Sequence, residues 1–335
     1  MRLAGAGKVY HGMCKHLPER RNPTLQRRLI MQRIGIIDLG SNTVRLVVFD
    51  VERHFGRRLR PHEFREVLNE KTVAGLSAYV VDGVFTSAGI KRAVGALEGH
   101  LVSARNVGCK QMYVFATAVL RNCSNSKQAV REIERATNLS IDVITGEEEA
   151  HLGFVGASIT QPLGDGLLID IGGGSTELTR IEGGRDVANT SIPQGSVSSY
   201  ARYVSLVFPT PDEREAIRKA FATQLGNAPQ LGRNLQAYGV GGGVRAVAKM
   251  VGCMAGREKA VKQLAPESVA SVLALLDRDP SQFAHLAVKA APDRLHSLVP
   301  SAIILQECLA AVGAESLAMC KYGLREGYLL ERVLS

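Results

Sequence analysis

The sequence predicts an α/β protein made of two similar domains that flank a central cleft. A buried-strand pattern followed by an Asp-x-Gly turn occurs twice, as IGIIDLGSNT around Asp38 and as LLIDIGGGST around Asp170. Hairpins, strands and amphipathic helices follow each copy in a similar order, which is typical of a repeated α/β unit. The 335 residues are too many for one ordinary core and suit two domains.

Each element is predicted from its own pattern of apolar and polar residues. In the first half, strands are predicted at 34–38, 45–52, 65–73, 111–117 and 141–145, with helices at 86–108, 125–138 and 146–159. In the second half, a hairpin is predicted over 165–193, strands at 236–240 and 316–322, and helices at 196–204, 211–225, 244–251, 262–293, 299–314 and 323–334. Both halves therefore begin with a hairpin and continue with alternating helices and strands.

The composition excludes several classes of protein. The chain is 45% hydrophobic and 22% charged, as in ordinary globular proteins, and no apolar run approaches the roughly 20 residues of a membrane span. The six cysteines are scattered and form no C-x-x-C pair, which is typical of reduced thiols rather than of disulfides or a zinc site. We therefore expect a cytoplasmic protein with no membrane partner.

Basic residues concentrate at the N-terminus. The net charge is +9, and residues 1–33 hold eight Lys and Arg against one Glu. This stretch has no sustained helical or strand period, so we expect residues 1–33 to be a largely disordered extension. A solvated tail, or a translation artefact ahead of a start at Met31, is favoured over an arm that binds RNA or a membrane surface. We therefore expect no specific nucleic-acid partner.

The two Asp-x-Gly turns suit phosphate. A Gly-rich turn after a strand can direct successive backbone N–H groups at one anion, because no Cβ blocks the approach. An aspartate just ahead of each turn, Asp38 or Asp170, offers the carboxylate oxygens that Mg²⁺ prefers. The predicted phosphate contacts are Gly40, Ser41, Asn42, Thr43, Gly172, Gly173, Gly174 and Ser175. Two such turns that face each other could clamp neighbouring phosphates.

Several motifs together resemble a known family. The stretches IGIIDLGSNTVRLVVFDV, ATAVLRNCSN, ITGEEEAHLGFVGA, DIGGGSTEL and GLREGYLL occur in the order and spacing of the Ppx/GppA family. The resemblance covers about residues 34–335. It implies two actin-like (ribonuclease H-like) domains, at 34–157 and 158–335, and allows the last helix to pack back on the first domain. It further implies Mg²⁺-dependent hydrolysis of inorganic polyphosphate or guanosine pentaphosphate, and a homodimer.

The resemblance also assigns roles to side chains. Glu149, in GEEEA, corresponds to the family's catalytic glutamate, and Glu177 to a second important carboxylate. Glu148 is the adjacent alternative for the catalytic role, and Arg121 corresponds to a contact with the phosphate chain. Each residue also has a simpler interpretation, in which the three glutamates only start a helix and Arg121 lies on the surface. For Arg325 and its neighbour Glu326 we favour a structural ion pair.

The third glycine motif departs from the family pattern. YGVGGGVRAVA places Gly243 where the family has a threonine. Gly242 and Gly243 are still expected to contact substrate phosphate through their backbone. On this view a threonine at 243 would add one hydroxyl donor and tighten binding.

Three classes of function remain open from the sequence. The first is a phosphohydrolase that acts on polyphosphate or guanosine pentaphosphate. The second is an actin-fold kinase or ATPase, although no separate acceptor motif is found and GEEEA favours water as the acceptor. The third is a catalytically weak regulator that binds polyphosphate or an alarmone.

Overall fold

Two β-sheets organise the described part of the chain. The computed structural model describes residues 31–52, 63–160, 162–228, 231–233 and 235–335. Residues 31–335 cluster into one unit. The predictions made for residues 1–30 lie outside the described ranges.

The first sheet has five strands in the order β3-β2-β1-β6-β7. Its strands are β1 (Met31–Leu39), β2 (Thr43–Glu52), β3 (Phe64–Val73), β6 (Gln111–Ala116) and β7 (Ile141–Val143). β1, β2 and β3 pair in antiparallel fashion, whereas β6 and β7 continue the sheet parallel to β1. β1 lies in the middle of the sheet, and its Ile34, Ile36 and Ile37 have no exposed surface.

The second sheet repeats this order. Its strands are β8 (Gly166–Ile171), β9 (Thr176–Glu182), β10 (Arg185–Ile192), β11 (Gln236–Val240), β12 (Gln263–Leu264) and β13 (Leu317–Met319), arranged as β10-β9-β8-β11-β13-β12. As in the first sheet, three antiparallel strands are followed by two parallel ones. The repeated order agrees with the duplication that the two Asp-x-Gly copies predicted, and it places both turns at the same end of their sheets.

Helices cover both sheets. They are α1 (Ser87–Asn106), α2 (Ala118–Arg121), α3 (Ser126–Thr137), α4 (Gly146–Ala157), α5 (Ser196–Tyr203), α6 (Pro211–Gly226), α7 (Gly241–Met254), α8 (Pro266–Arg278), α9 (Pro280–Ala290), α10 (Leu295–Val312) and α11 (Leu324–Tyr328). A small hairpin of β4 (Val80–Val81) and β5 (Val84–Phe85) precedes α1. We call the sheet β1–β3, β6 and β7 with α1 and α3 the first lobe, and the second sheet with α6–α10 the second lobe.

One predicted element was wrong in part, and another is confirmed but changes its helical geometry along its length. The single helical region predicted over 262–293 instead contains β12 and two helices, α8 and α9. β12 has only two residues and pairs with β13, so its strand conformation depends on a partner far along the chain. The helix predicted over 323–334 contains α11 and then a wider π-helical turn at Leu329–Val333.

The helix Pro292–Val312 is long and apolar enough to cross a membrane by length and composition, with a mean hydropathy of 1.5. Polar residues such as His296, Ser297 and Glu307 interrupt its apolar residues, so the helix contains no continuous apolar run. In the fold, 67% of this stretch is buried, and its Leu298, Ile303 and Leu309 pack in the core of the second lobe. A core helix of this kind is weak evidence for a membrane span.

The chain returns to the first lobe at α11. Tyr328 and Leu329 pack against Ile34, Phe115 and Ile144 of the first lobe. The ring centroids of Phe115 and Tyr328 are 4.7 Å apart. Residues near the C-terminal end of the sequence therefore complete the core beneath the first sheet.

α11 is also in backbone contact with α4. A Cβ at Gly156 would overlap the carbonyl group of Gly323, and a Cβ at Gly327 would overlap the carbonyl oxygen of Leu152. Only glycine allows two helix backbones to approach so closely. This contact fixes α4, which carries Glu149, against α11, which carries Arg325.

Candidate active site

A cavity of about 290 Å³ lies between the two lobes, where the two Asp-x-Gly turns meet. Of the predicted site residues, those that line it are Asp38, Gly40, Ser41, Asn42, Thr43, Glu149, Asp170, Gly172, Gly173, Gly174, Ser175 and Gly242. Four predicted residues are absent from the lining: Arg121, Glu148, Glu177 and Gly243. The structure therefore brings together most of the set chosen from the sequence.

The two Asp-x-Gly turns have the same backbone shape. In one turn the N–H of Gly40 donates to the carbonyl oxygen of Thr43 at 3.1 Å, and in the other Gly172 donates to Ser175 at 3.0 Å. The turns also touch each other, because a Cβ at Gly174 would overlap the hydroxyl of Ser41. The backbone N–H groups and hydroxyls of both turns can thus approach one anion from two sides.

Two buried glutamates share one arginine beside the turns. Nη1 of Arg121 donates to Oε2 of Glu149 at 2.7 Å, and its Nη2 lies 3.9 Å from Oε1 of Glu177. The hydroxyl of Ser191 also donates to Glu177, at 2.7 Å. Glu149 is 9% exposed and Glu177 is 3% exposed. Glu149 reaches the cavity, whereas Glu177 lies behind it.

Burial raises the pKa of both glutamates. Burial first, and then the charge of Glu177, raise the pKa of Glu149 well above its usual value, and Arg121 opposes this. Burial and the charge of Asp170 raise the pKa of Glu177 to about 7. Carboxyl groups whose pKa lies near neutrality are suited to accept a proton in catalysis.

Glu148 does not line the cavity, and its contacts argue against the catalytic role expected for it. Its carboxylate accepts a hydrogen bond from the N–H of Thr145 at 2.8 Å, and its own N–H donates to the hydroxyl of Thr145 at 3.1 Å. The other oxygen of Glu148 pairs with Arg332. This reciprocal arrangement is a capping box that begins α4.

Arg121 binds carboxylates rather than lining the cavity. Besides Glu149, its guanidinium donates to the carbonyl oxygen of Ile144 at 3.2 Å. The direct contact with the phosphate chain that the family resemblance implies stays a prediction. The guanidinium of Arg121 lies within ion-pair distance of the carboxylates of both Glu149 and Glu177. Any influence of Arg121 on the cavity is therefore exerted through these two side chains.

Arg325 pairs with Asp38 and not with its neighbour Glu326, so the local ion pair predicted from the sequence was wrong. Nη1 of Arg325 donates to Oδ2 of Asp38 at 3.0 Å. Glu326 instead accepts a hydrogen bond from the N–H of Gly323 at 2.9 Å, at the start of α11. The Asp38–Arg325 pair lines the cavity and joins β1 to α11.

Asp38 and Asp170 are the residues that could hold a metal ion. Burial raises the pKa of both carboxyl groups, although Arg325 opposes the shift. The described residues contain no cluster of three or more His, Cys, Asp or Glu that would bind a metal by themselves. Mg²⁺ usually takes one or two carboxylates together with water and substrate phosphates, so Asp170 and Oδ1 of Asp38 fit that kind of site.

Gly243 faces the second sheet and not the cavity. A Cβ at this position would lie 2.7 Å from the carbonyl oxygen of Ile171. A threonine would therefore collide with β8 and would not present its hydroxyl to a ligand, so the expected gain from that residue is wrong. Gly242 does line the cavity, and there the guanidinium of Arg294 fills the space beside it.

The sequence analysis missed most of the positive charge in the cavity. The additional cationic side chains in the lining are Arg45, Lys71, Arg245, Lys249 and Arg294. Burial and the neighbouring charges of Arg325 and Arg245 lower the pKa of Arg45 to about 10. One signal was available, because Arg245 and Lys249 are four residues apart and so share one face of α7. Cations that repel one another at close range are typical of a site for a polyanion.

These features define a two-domain actin-like protein with a cleft lined by cations. The structure matches an exopolyphosphatase from Cytophaga hutchinsonii with a TM-score of 0.74 and 22% identity, covering 89% of this chain and 96% of that one. It matches the Aquifex aeolicus member of the Ppx/GppA family with a TM-score of 0.71 and 19% identity, covering 91% of this chain and 98% of that one.

The comparison of sequences leads to the same family. The chain is 23% identical to Exopolyphosphatase 1 of Mycobacterium tuberculosis over 310 residues, which are 90% of this chain and 88% of the relative. A profile of the Ppx/GppA phosphatase family matches residues 57–335. The chain belongs to the Ppx/GppA phosphatase family.

Proposed function

We propose that this protein hydrolyses the terminal phosphoanhydride bond of inorganic polyphosphate and releases orthophosphate. The observation that carries the proposal is the placement of a buried Glu149 beside two facing phosphate-type turns in a cation-rich cavity. Relatives that match 90% of this chain carry the name exopolyphosphatase, which supports the same reaction. Membership of the phosphatase family supports a hydrolase rather than a kinase.

Each part of the site has a task in this reaction. The turns at Gly40–Thr43 and Gly172–Ser175 hold the terminal phosphates by backbone N–H groups and hydroxyls. The lining cations nearest the turns neutralise the terminal phosphates and the charge that develops on the transferred group. Glu149 orients a water molecule in line with the bond and accepts its proton, which its raised pKa favours.

Arg121 and Glu177 set the state of that base. Arg121 keeps Glu149 in a fixed position and favours its ionised form, whereas Glu177 raises its proton affinity. A Mg²⁺ ion held by Asp38 and Asp170 would supply additional positive charge on the phosphoryl oxygens. The side chains and backbone of the protein bind the phosphates, align the water molecule and accept its proton.

Guanosine pentaphosphate is the second candidate substrate. The cavity lining, as far as the structure describes it, contains no aromatic side chain on which a base could stack. This favours a linear phosphate chain as the substrate.

A homodimer and a cytoplasmic location stay predictions.

Phosphate release tests the proposal directly. We expect orthophosphate from long-chain polyphosphate in the presence of Mg²⁺, with little release when the metal is chelated. Guanosine pentaphosphate and ATP with an added acceptor should be assayed in parallel. Release from guanosine pentaphosphate alone, or transfer from ATP to the acceptor, would contradict the proposed substrate or the proposed reaction.

Arg121→Met is expected to move the acidic limb of the pH–kcat profile upward by about one pH unit or more. Arg121 lowers the pKa of both Glu149 and Glu177, so its removal raises both values and the base is ionised only at higher pH. The measurement is kcat for polyphosphate between pH 5 and 9. Arg131→Met, at an exposed position of α3, is the matched control. An unshifted limb with lower kcat at every pH would show that Arg121 acts in another way.

A further inference from the structure

An ion pair crosses the cavity between the two lobes. Nζ of Lys71 lies 2.5 Å from Oδ2 of Asp293, and the two side chains are 35% and 28% exposed. Lys71 belongs to β3, the edge strand of the first sheet, whereas Asp293 lies in the turn Pro292–Arg294 before α10. Both residues line the same cavity as the catalytic groups.

Lys71 lies at the outer end of a row of charged residues. In the first sheet Asp38 on β1 is paired with Arg45 on β2, and Arg45 is paired with Lys71 on β3. Directly paired residues of antiparallel strands project from the same face. Neighbouring strands are about 4.8 Å apart, so the backbone of Lys71 is roughly 10 Å from that of Asp38. The row leads from the phosphate turns to the edge of the sheet.

Asp293 neutralises the outer end of this row. Its carboxylate pairs with Lys71 and lies 4.0 Å from Nε of Arg294. Burial would raise the pKa of Asp293, but the bond to Lys71 and the charge of Arg294 lower it overall, so the group is ionised. The carboxylate therefore occupies the place that a phosphate group would take between these two cations.

We propose that Lys71 recognises the length of the phosphate chain and that Asp293 covers it until a long chain arrives. This inference rests on the proposed function and deepens it. A polyphosphate whose terminal phosphate is bound by the turns extends outward past Arg45 along the row of charged residues. A chain long enough to reach Lys71 displaces the carboxylate of Asp293, so one anion replaces another. A short chain ends before Lys71 and leaves the ion pair intact.

The replacement of Asp293 by a phosphate group at Lys71 gives long chains a modest advantage in affinity. Lys71 gains a contact with phosphate but loses one with Asp293, so the two changes partly cancel. Partly exposed ion pairs and charged hydrogen bonds of this kind correspond to about three- to tenfold in affinity. We expect differences of that size in KM, with kcat little changed, because Lys71 is remote from the bond that is cleaved.

The test compares KM for tripolyphosphate and for long-chain polyphosphate in two variants. Lys71→Met is expected to raise KM for long chains about three- to tenfold and to leave KM for tripolyphosphate unchanged. Asp293→Asn is expected to lower KM for long chains, because Lys71 is then free, again without effect on the short substrate. Lys110→Met, at an exposed position before β6, is the control for a general loss of positive charge.

Other outcomes would overturn the inference. Equal changes in KM for both substrates would place Lys71 near the terminal phosphate. A lower melting temperature together with a higher KM in both variants would show that the pair only joins the lobes. If the wild type releases no phosphate from any chain, the proposed function fails instead. Calorimetric titration of wild-type and Lys71→Met protein with tripolyphosphate and with long-chain polyphosphate then still tests whether the substitution weakens binding of the long chain alone.

Discussion

Replacing Glu149 by glutamine is expected to lower kcat for polyphosphate by about 10²–10⁴-fold. The amide keeps the shape of the side chain and can still accept the hydrogen bond from Arg121, but it cannot take a proton from water. Because the turns and cations that hold the substrate are unchanged, calorimetric titration should give a dissociation constant close to that of the wild type. The measurement is steady-state phosphate release with Mg²⁺ present.

A matched control exists in the same helical turn. Glu147 is exposed and precedes Glu149 by two residues, so Glu147→Gln removes one negative charge outside the cavity. We expect its kcat to equal that of the wild type. Near-wild-type turnover by Glu149→Gln would contradict the assignment and would move the role of base to Glu177, the other member of the buried pair.

Gly156→Ala is expected to destabilise the protein by about 3 kcal/mol and to lower its activity. The added methyl group would overlap the carbonyl of Gly323, and neither helix backbone can move without disturbing the packing around it. The shift would separate α4 from α11 and so disturb Glu149 and Arg325 together. Urea unfolding measures the loss in free energy, and phosphate release measures the effect on the site.

Gly153→Ala provides the comparison within the same helix. Apart from the backbone of its own helix and its chain neighbours, no atom lies within 4 Å of a Cβ at Gly153, so the methyl group is accommodated. Alanine is the better helix former, and we expect an unchanged or slightly higher free energy of unfolding. Equal stability of the two variants would show that the contact between α4 and α11 is not as tight as the structure indicates.

Much of the fold could be predicted from local patterns. The two Asp-x-Gly copies predicted the duplication, and the helix predicted over 86–108 is present as α1. What could not be predicted depends on distant partners. β12 is a strand because β13 lies beside it, and the position of α11 on the first lobe follows from the core around Tyr328. Neither partner is visible in a window of neighbouring residues.

The parts of the cavity lining that a backbone motif determines could be predicted from the sequence. The parts that depend on the direction of side chains could not. The two Asp-x-Gly turns that line the cavity were predicted from their glycines. Among three consecutive glutamates only the fold shows which one is directed inward, although the T-x-x-E spacing of Thr145 and Glu148 marked a capping box that could have excluded Glu148. No sequence motif marks Lys71 and Arg45 as neighbours, because they are brought side by side only by the register of β2 and β3.

The position of α11 also has a consequence for folding during synthesis. A ribosome makes the first lobe early, and domains generally begin to fold as they emerge. The core around Ile34 and Phe115 then still lacks Tyr328 and Leu329, and Asp38 lacks Arg325, because these residues are translated last among the groups described. We expect a nascent chain halted before residue 323 to be loosely folded and silent towards polyphosphate. Completion of α11 would therefore close the core and finish the cleft in a single late step.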